Sequence, residues 1–497
     1  MLSRRSIRIM FGAGFKGLLG AVWMLACCSA AAEVHGIPPN ILLIVADDLG
    51  WKDLGYQGAE IRTPRIDELA SAGVRLNRFY AQPSCSPSRA SLMTGNSALR
   101  LGITLPLSKL NPGGLPLDQQ LLPEYLERKD YQTWLVGKWH LGFRSVDYLP
   151  TERGFDHFYG DLTGGIGYWD HVHGGAYDWQ RNREAVREDG YSTHLLAEEA
   201  VRLIEGRDKL RPLFLMASFN APHIPNEAPR ATVETYFHIT DPKRRIHAAM
   251  VTELDTAVGQ IIDALDQQGI LDNTLVWFMS DNGGLNSSAY PGNLVKALTV
   301  LNTLADGKPL PLRQLEFVRA NVFDGAANNR PLRKGKLSVY EGGIRVPSFV
   351  YWRGRLLSRQ VNSMVSVEDV LPTLLEITGR AETDVDGSGQ WSVLLGETSE
   401  LERSFAVVAK DGEAMLRFPW KAIRANSGEL ALFNVESDPS EQNDLSRVHP
   451  ELLRSLISEL DRWPRGESVN LPFWKTLLDP DSFGGEEKTK PWIETVE

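Results

Sequence analysis

Oxygen donors occur as two adjacent pairs, Asp47-Asp48 and Asp281-Asn282, each directly after an apolar run. Hard oxygen ligands of this kind select Ca2+ or Mg2+ over zinc. Lys138, His140, His223 and Lys336 add a candidate cationic ring for an oxyanion, in which the histidines can pass protons. One Asp-Asp pair is ordinary turn chemistry, and one histidine is ordinarily a hydrogen-bonded structural residue. Two pairs at separate run ends carry more weight together than either does alone.

Cys85 is the other chemical group. The chain has three cysteines, of which Cys27 and Cys28 lie in the N-terminal segment. Exported proteins normally use cysteines in pairs, and without that segment Cys85 has no partner. It is either a small buried apolar residue or a reagent. Its setting, Pro83-Ser84-Cys85-Ser86-Pro87-Ser88-Arg89, has two prolines and three serines, which describes a shaped loop and not a core strand. Ser88 to Met93 reads as the start of a helix ended by Gly95, so Cys85 falls near a helix N-terminus, where anions are stabilised.

The elements that must position these groups are short buried strands. Asn40 to Ala46, Leu213 to Phe219 and Thr274 to Ser280 are continuous apolar runs that stop at Asp47-Asp48, Asn220-Ala221-Pro222-His223 and Asp281-Asn282. A shorter run, Thr133 to Val136, leads into Gly137-Lys138-Trp139-His140. Helical patterns alternate with them: Thr63-Pro64 opens one that Gly73 closes, and another runs from about Pro242 to Gln268. Alternation predicts an α/β fold with a mainly parallel sheet covered on both faces. Ligands collect at the carboxyl ends of such strands, which would bring the acidic and basic groups to one rim.

With 497 residues, 42% hydrophobic and 23% charged, the chain has ordinary globular composition, and its net charge of −10 gives no electrostatic footprint for nucleic acid or an anionic membrane. Residues 1–32 read as a removable signal peptide: Arg4, Arg5, Arg8 and Lys16 with no acid, an apolar stretch, then small residues before Glu33. Export to the periplasm or outside is expected. Ser3-Arg4-Arg5 resembles part of a twin-arginine signal, and Cys27 or Cys28 offers a lipid-attachment alternative to simple cleavage. The mature chain is expected to have no membrane span. Residues 33–394 read as the catalytic domain, with 285–330 as an insertion near the site and a candidate lid. Residues 395–497 read as a small α+β subdomain, an antiparallel sheet with hairpin turns at Asp411-Gly412 and Ser427-Gly428 and a helix from about Pro450 to Trp463.

Cys85-Ser86-Pro87-Ser88-Arg89 with Thr94-Gly95 resembles the signature of the formylglycine-dependent sulfatases. Further blocks follow in that family's order: Pro39 to Leu42 through Asp47-Asp48-Leu49-Gly50, Gly137 to Gly142, Arg153-Gly154-Phe155-Asp156, Ser280 to Gly284 and Glu341-Gly342-Gly343. Leu432-Phe433-Asn434 with Asp438-Pro439 is similar to the family's C-terminal sheet. The resemblance implies an alkaline-phosphatase-like large domain and a calcium-dependent sulfuric ester hydrolase. It also implies that a formylglycine-generating enzyme converts Cys85 to 3-oxoalanine, whose hydrate offers one hydroxyl as nucleophile and a second to expel sulfate. It implies further that Asp47, Asp48, Asp281, Asn282 and the modified Cys85 hold one Ca2+, and that Arg89 fixes the hydroxyls and the metal carboxylates. Lys138, His223 and Lys336 would bind sulfate oxygens, His223 or Lys336 would protonate the leaving alcohol, and His140 would take the proton of the second hydroxyl. Lys336 is preferred to Lys334 because it lies five residues before Glu341, as the family lysine does. The chain departs from the family at Asn96, where an arginine is common, which puts a neighbouring structural contact in doubt.

Within the family the chain is most similar to the arylsulfatase B, or N-acetylgalactosamine-4-sulfatase, group, through Leu149-Pro150, the aromatic and glycine-rich Gly164 to Trp179, and Tyr191-Ser192-Thr193. Tyr168, Trp169, His171 and His173 are candidate sugar-site residues, with packing as the alternative for the aromatic ones and a metal pair as the alternative for His171 and His173. The expected substrate is a sulfated carbohydrate or aryl sulfate. A phosphoesterase of the same superfamily and a non-catalytic binder of sulfated glycan are the rival classes.

Overall fold

A strand covered on both faces must send alternate side chains into two separate cores. The Asn40–Ala46 strand does this: Ile41, Leu43 and Val45 enter one apolar cluster, Leu42, Ile44 and Ala46 the other. The computed structural model describes residues 38–173, 176–287, 292–304, 319–379, 384–398, 403–471 and 491–496. In it, this strand lies near the middle of a ten-stranded sheet, with Thr274–Ser280 on one side and Leu213–Ser218, Gln132–Gly137 and His157–Gly160 in turn on the other. All five are parallel. Antiparallel strands flank them, Ser348–Tyr351 beside Thr274–Ser280 and Gln180–Arg181 beside His157–Gly160. The sheet is therefore mixed and mainly parallel, as expected.

Helices cover both faces. Pro64–Ala72, Ser192–Gly206 and Pro242–Gln267 bury Ile66, Leu196, Leu254 and Ile261 against one face; Cys85–Thr94, Leu122–Glu127 and Val370–Ile377 bury Leu92, Leu126 and Leu374 against the other. The long helix starts where its sequence allows. Asp241 accepts the Lys243 backbone N–H, and Pro242 fills the first position.

Near the C-terminus, Ser404–Ala409, Gly412–Arg417, Trp420–Ala425 and Leu430–Asn434 form an antiparallel sheet. The Pro450–Arg462 helix covers one side of it, setting Leu453, Leu456 and Leu460 against Ala406, Met415 and Leu432. The other side, with Phe405, Val407, Leu416 and Ile423, packs on Tyr80, Val339 and Ile344. Pro39–Glu497 is one compact unit.

Of the predicted insertion, Gly292–Leu304 is a helix; 288–291 and 305–318, like the predicted signal peptide at 1–32, lie outside the described residues. Among those described, no helix is long and apolar enough to cross a membrane.

Candidate active site

Four parallel strands end at one edge, and the chemistry follows each end. Asn40–Ala46 delivers Asp47 and Asp48, and Thr274–Ser280 delivers Asp281 and Asn282. Gln132–Gly137 delivers Lys138 and His140, while Leu213–Ser218 leads through Asn220 to His223. The Cys85–Thr94 helix lies fully buried beside them, and its four-residue spacing sets Cys85 and Arg89 on one face. This helix begins at Cys85 and not at Ser88, because Pro87 in its first turn lacks only an N–H that the turn would leave unused. Asp48 and His140 turn away from their strands with φ of +64° and +60°, a conformation uncommon outside glycine and concentrated at functional sites.

The side chains interlock. Cys85 Sγ donates to Asp47 Oδ1 at 3.4 Å, and Lys138 Nζ donates to Asp47 Oδ2 at 2.6 Å and to the Gly164 carbonyl at 2.5 Å. Lys336 Nζ is 2.7 Å from Asp48 Oδ1 and 3.2 Å from Cys85 Sγ. Arg89 holds Asp281 Oδ2 through Nε at 3.0 Å, and also donates to the Lys138 carbonyl and Ser218 Oγ. Asn282 Nδ2 donates to Asp48 Oδ1 at 2.7 Å, and His223 Nε2 faces Asp48 Oδ2 at 3.6 Å. Lys334 turns the other way, to Asp411, so Lys336 is the lysine that reaches the cluster.

Charges are set by these contacts. Burial alone would raise the Asp47 carboxyl, but Lys138, His223, Lys336 and Arg89 hold it far below the ordinary carboxylate range. Burial, then Asp47, pushes the Cys85 thiol up to about 12, so the unmodified sulfur is a neutral thiol and a poor nucleophile. Burial and Lys138 hold His140 well below the usual histidine range. Its Nε2 lies 3.0 Å from the Leu107 carbonyl, which can only accept, so the proton of the neutral ring is on Nε2 and Nδ1 keeps a buried lone pair with no partner. Gly164 and Gly165 let the two rings sit close: a Cβ at Gly164 would meet His140 Cε1 at 2.7 Å, and one at Gly165 would meet His223 Nδ1 at 2.9 Å.

The carboxylate and amide oxygens at this rim are donors that a hard cation accepts. Ligand atoms of Asp47, Asp48, Cys85 and His223 lie within 4.8 Å of one another, and Asn282 Oδ1 beside them is buried with no hydrogen-bond donor. An orphaned amide oxygen next to carboxylates is what such an ion would satisfy. Asp281 is reached through Arg89 and through the Asp48 backbone N–H at 3.3 Å.

The predicted sugar-site residues divide. Trp169 is half exposed, tilted on Tyr191 at 5.1 Å, and His173 is half-buried with Nδ1 on the Gly165 carbonyl. Tyr168 and His171 do not face solvent. Tyr168 is buried and donates its hydroxyl to the Asn220 and His223 carbonyls, 2.9 Å each, while His171 is buried and stacked on Trp179 at 4.5 Å. Tyr168 thus braces the His223 loop, and His171 packs the aromatic core. Where the family's arginine is replaced, Asn96 bonds Gln119 and the Asp386 backbone N–H, and Arg100 pairs with Asp386 at 2.6 Å.

Several positioning residues escape sequence reasoning. Asp53 accepts the Gly50 and Asn328 backbone N–H groups together with Arg244 and His247, which ties the Asp47-Asp48 turn to the long helix. Burial raises that carboxyl, but Arg244 and His247 outweigh burial and hold it at about 2. Ser218, which closes its strand beside Arg89, could have been found from its place at a strand end.

The sequence model of the family described as Sulfatase matches residues 39–380. Arylsulfatase J of Mus musculus is 30% identical over 494 residues, covering 86% of this chain and 75% of that one. N-acetylgalactosamine-6-sulfatase of Homo sapiens is 31% identical over 365 residues, 69% of this chain and 62% of its own. The crystal structure of Ps i-CgsB in complex with k-i-k-neocarrahexaose superposes with a TM-score of 0.76 at 30% identity, covering 91% of this chain and 99% of that chain.

Proposed function

The chain belongs to the sulfatase family and is a sulfuric ester hydrolase, and from that premise we propose that it removes sulfate from a sulfated glycan through a formylglycine made from Cys85, with one bound calcium ion. The observation that carries this reading is the setting of Cys85. It is a buried, neutral thiol at a helix N-terminus, touched by Asp47 and Lys336, which suits a residue whose chemistry begins only after oxidation. Hydrated formylglycine supplies one hydroxyl to attack sulfur and another to release sulfate. Calcium held by Asp47, Asp48, Asp281, Asn282 and modified Cys85 would supply a positive charge that acidifies the attacking hydroxyl and polarises the ester.

The rest of the work falls to side chains already in place. Arg89, Lys138 and Lys336 offset the three aspartates, so a bound Ca2+ leaves a net positive site that favours the anionic sulfate ester. Lys138 uses two of its three N–H donors on Asp47 and Gly164, which leaves one for a sulfate oxygen. His223 or Lys336 protonates the leaving oxygen, a role supported by their place beside Asp48, at 3.6 and 2.7 Å. His140, neutral with a bare Nδ1, is the acceptor for the proton of the second hydroxyl.

Trp169 and His173 are the proposed sugar contacts, and an N-acetylgalactosamine sulfate is the first substrate to try, since one relative is named for that sugar and a structural neighbour was crystallised with a saccharide. We further propose export, with 33–394 as the catalytic domain and 395–497 as its subdomain. Peptide mass spectrometry across Cys85, on protein from the native host, tests the mechanism: the aldehyde is expected, and an unmodified thiol throughout would overturn it. Sulfate release from 4-sulfated and 6-sulfated N-acetylgalactosamine tests the substrate, which fails if neither is cleaved while an aryl sulfate is.

A further inference from the structure

Lys336 sits in a loop whose backbone is costly on both sides of it. Lys334 and Leu337 have φ of +62° and +67°, the left-handed region that residues with a Cβ rarely occupy. Such a loop must be held from outside. On its inner side the Lys336 N–H donates to the Gly284 carbonyl at 3.2 Å, and the Leu337 N–H to the Pro83 carbonyl at 2.7 Å. On its outer side the partner is Asp411, between the first two strands of the C-terminal sheet. Its Oδ2 accepts from Lys334 Nζ and Ser338 Oγ at 2.7 Å each, and its Oδ1 accepts the Val339 N–H at 3.0 Å. One carboxylate therefore grips the chain two residues before Lys336 and two and three residues after it. It also holds the Lys334 ammonium away from the sulfate site.

A second tie runs beside it. The Glu441 carbonyl accepts from Arg333, its carboxylate accepts the Glu341 N–H at 2.7 Å, and buried Lys421 joins Glu341 at 3.1 Å to Glu441 at 2.8 Å.

Resting on the proposed role of Lys336, we infer that Asp411 is a positioning residue for the reaction, through which the C-terminal sheet fixes the Lys336 ammonium over Cys85 and Asp48. Asp411 touches none of the reacting groups. Its effect passes through Lys336, which makes the inference separable from a general structural role.

A double-mutant cycle on the mature, Cys85-modified enzyme reads that difference, using an aryl sulfate whose leaving group is activated enough for the slow variants to be followed. Asp411→Asn is expected to lower kcat/KM by about 10- to 100-fold, the scale of a misplaced catalytic group, with a thermal midpoint close to that of the parent. In a Lys336→Ala background the same change should cost nothing further. An unchanged rate in D411N, or an equal loss in both backgrounds, overturns the inference. A parental rate in K336A would remove the premise as well, and would be recognised before the cycle is closed. Should D411N fail to fold, Ser338→Ala removes one of the three bonds and should give a smaller fall of about 5-fold, again only where Lys336 is present; an equal fall without Lys336 overturns the inference too.

Discussion

The Lys336 ammonium stands 3.2 Å from the sulfur of Cys85, although 251 residues separate the two in the chain. The same nitrogen is 2.7 Å from Asp48, and burial, which would lower its pKa, is outweighed by the carboxylates, Asp48 foremost and then Asp47, which hold it well above the usual lysine range. It is a fixed cation at the proposed reacting centre. Replacing it with alanine should lower kcat/KM by about 100- to 1,000-fold, the loss typical of one preorganised charge stabiliser, while the fold survives. Activity within a few-fold of the parent would remove Lys336 from the reaction.

Metal removal should act on both rate and stability. A chelator selective for calcium is expected to abolish turnover and lower the thermal midpoint, because an ion that binds only the folded chain stabilises it by mass action. Added Ca2+ should restore both, and Mg2+ should do so less well, since it prefers a smaller octahedral site and gives up its water reluctantly. Full activity after exhaustive chelation would refute the metal reading.

The acid limb of activity should lie low. The base role proposed for His140 needs the neutral ring, and burial with Lys138 nearby depresses its protonation well below the ordinary histidine value of about 6.5. Its base form is therefore present at ordinary pH and is lost only as pH falls through that lowered pKa. No acid limb should appear in the kcat profile through the usual histidine range, and His140→Ala should be slow without creating one there. A limb near the ordinary histidine value that disappears in His140→Ala would contradict the depressed base.

Asp161 offers a test of buried charge beside the His223 loop. Its Oδ2 accepts from Asn220 Nδ2 at 3.2 Å, while its Oδ1 and the Asn220 Oδ1 are both buried without partners. Burial, and then Asp178, push the carboxyl well above its ordinary range. The folded chain therefore binds this proton more tightly than the unfolded chain does. The stabilisation is complete below the unfolded pKa of about 3.9 and is lost as pH rises through the raised folded value. Asp161→Asn keeps a neutral acceptor for Asn220 Nδ2 without the proton. Its thermal midpoint should gain on the parent as pH rises from 5 to 8, and a difference that is constant with pH would show that Asp161 is ionised throughout.

Much of the site was legible because buried strands announce themselves. The run from Asn40 to Ala46 is apolar at every position but the first, so Asp47 and Asp48 had to stand at its end, and parallel pairing carried that end to the ends of Thr274–Ser280 and Gln132–Gly137. The loop from Gly164 was legible only as aromatic. Tyr168 and Trp169 are adjacent and chemically alike, yet one is sealed under the His223 loop and the other is half exposed. No periodicity in an irregular loop says which ring faces inward.

The sequence by itself determined the strands, the helices that cover them, the reagents at the strand ends and the isolation of Cys85, because burial imposes periods of 2 and 3.6 residues that can be read locally. Only the tertiary structure decided which carboxylate binds metal-site neighbours and which binds a loop. Asp411 read as one half of a hairpin turn, and it became the clamp on Lys336 because the C-terminal sheet packs on Val339 and Ile344. That outcome depends on hydrogen bonds between segments distant in sequence, whose geometry exists only once both cores have formed.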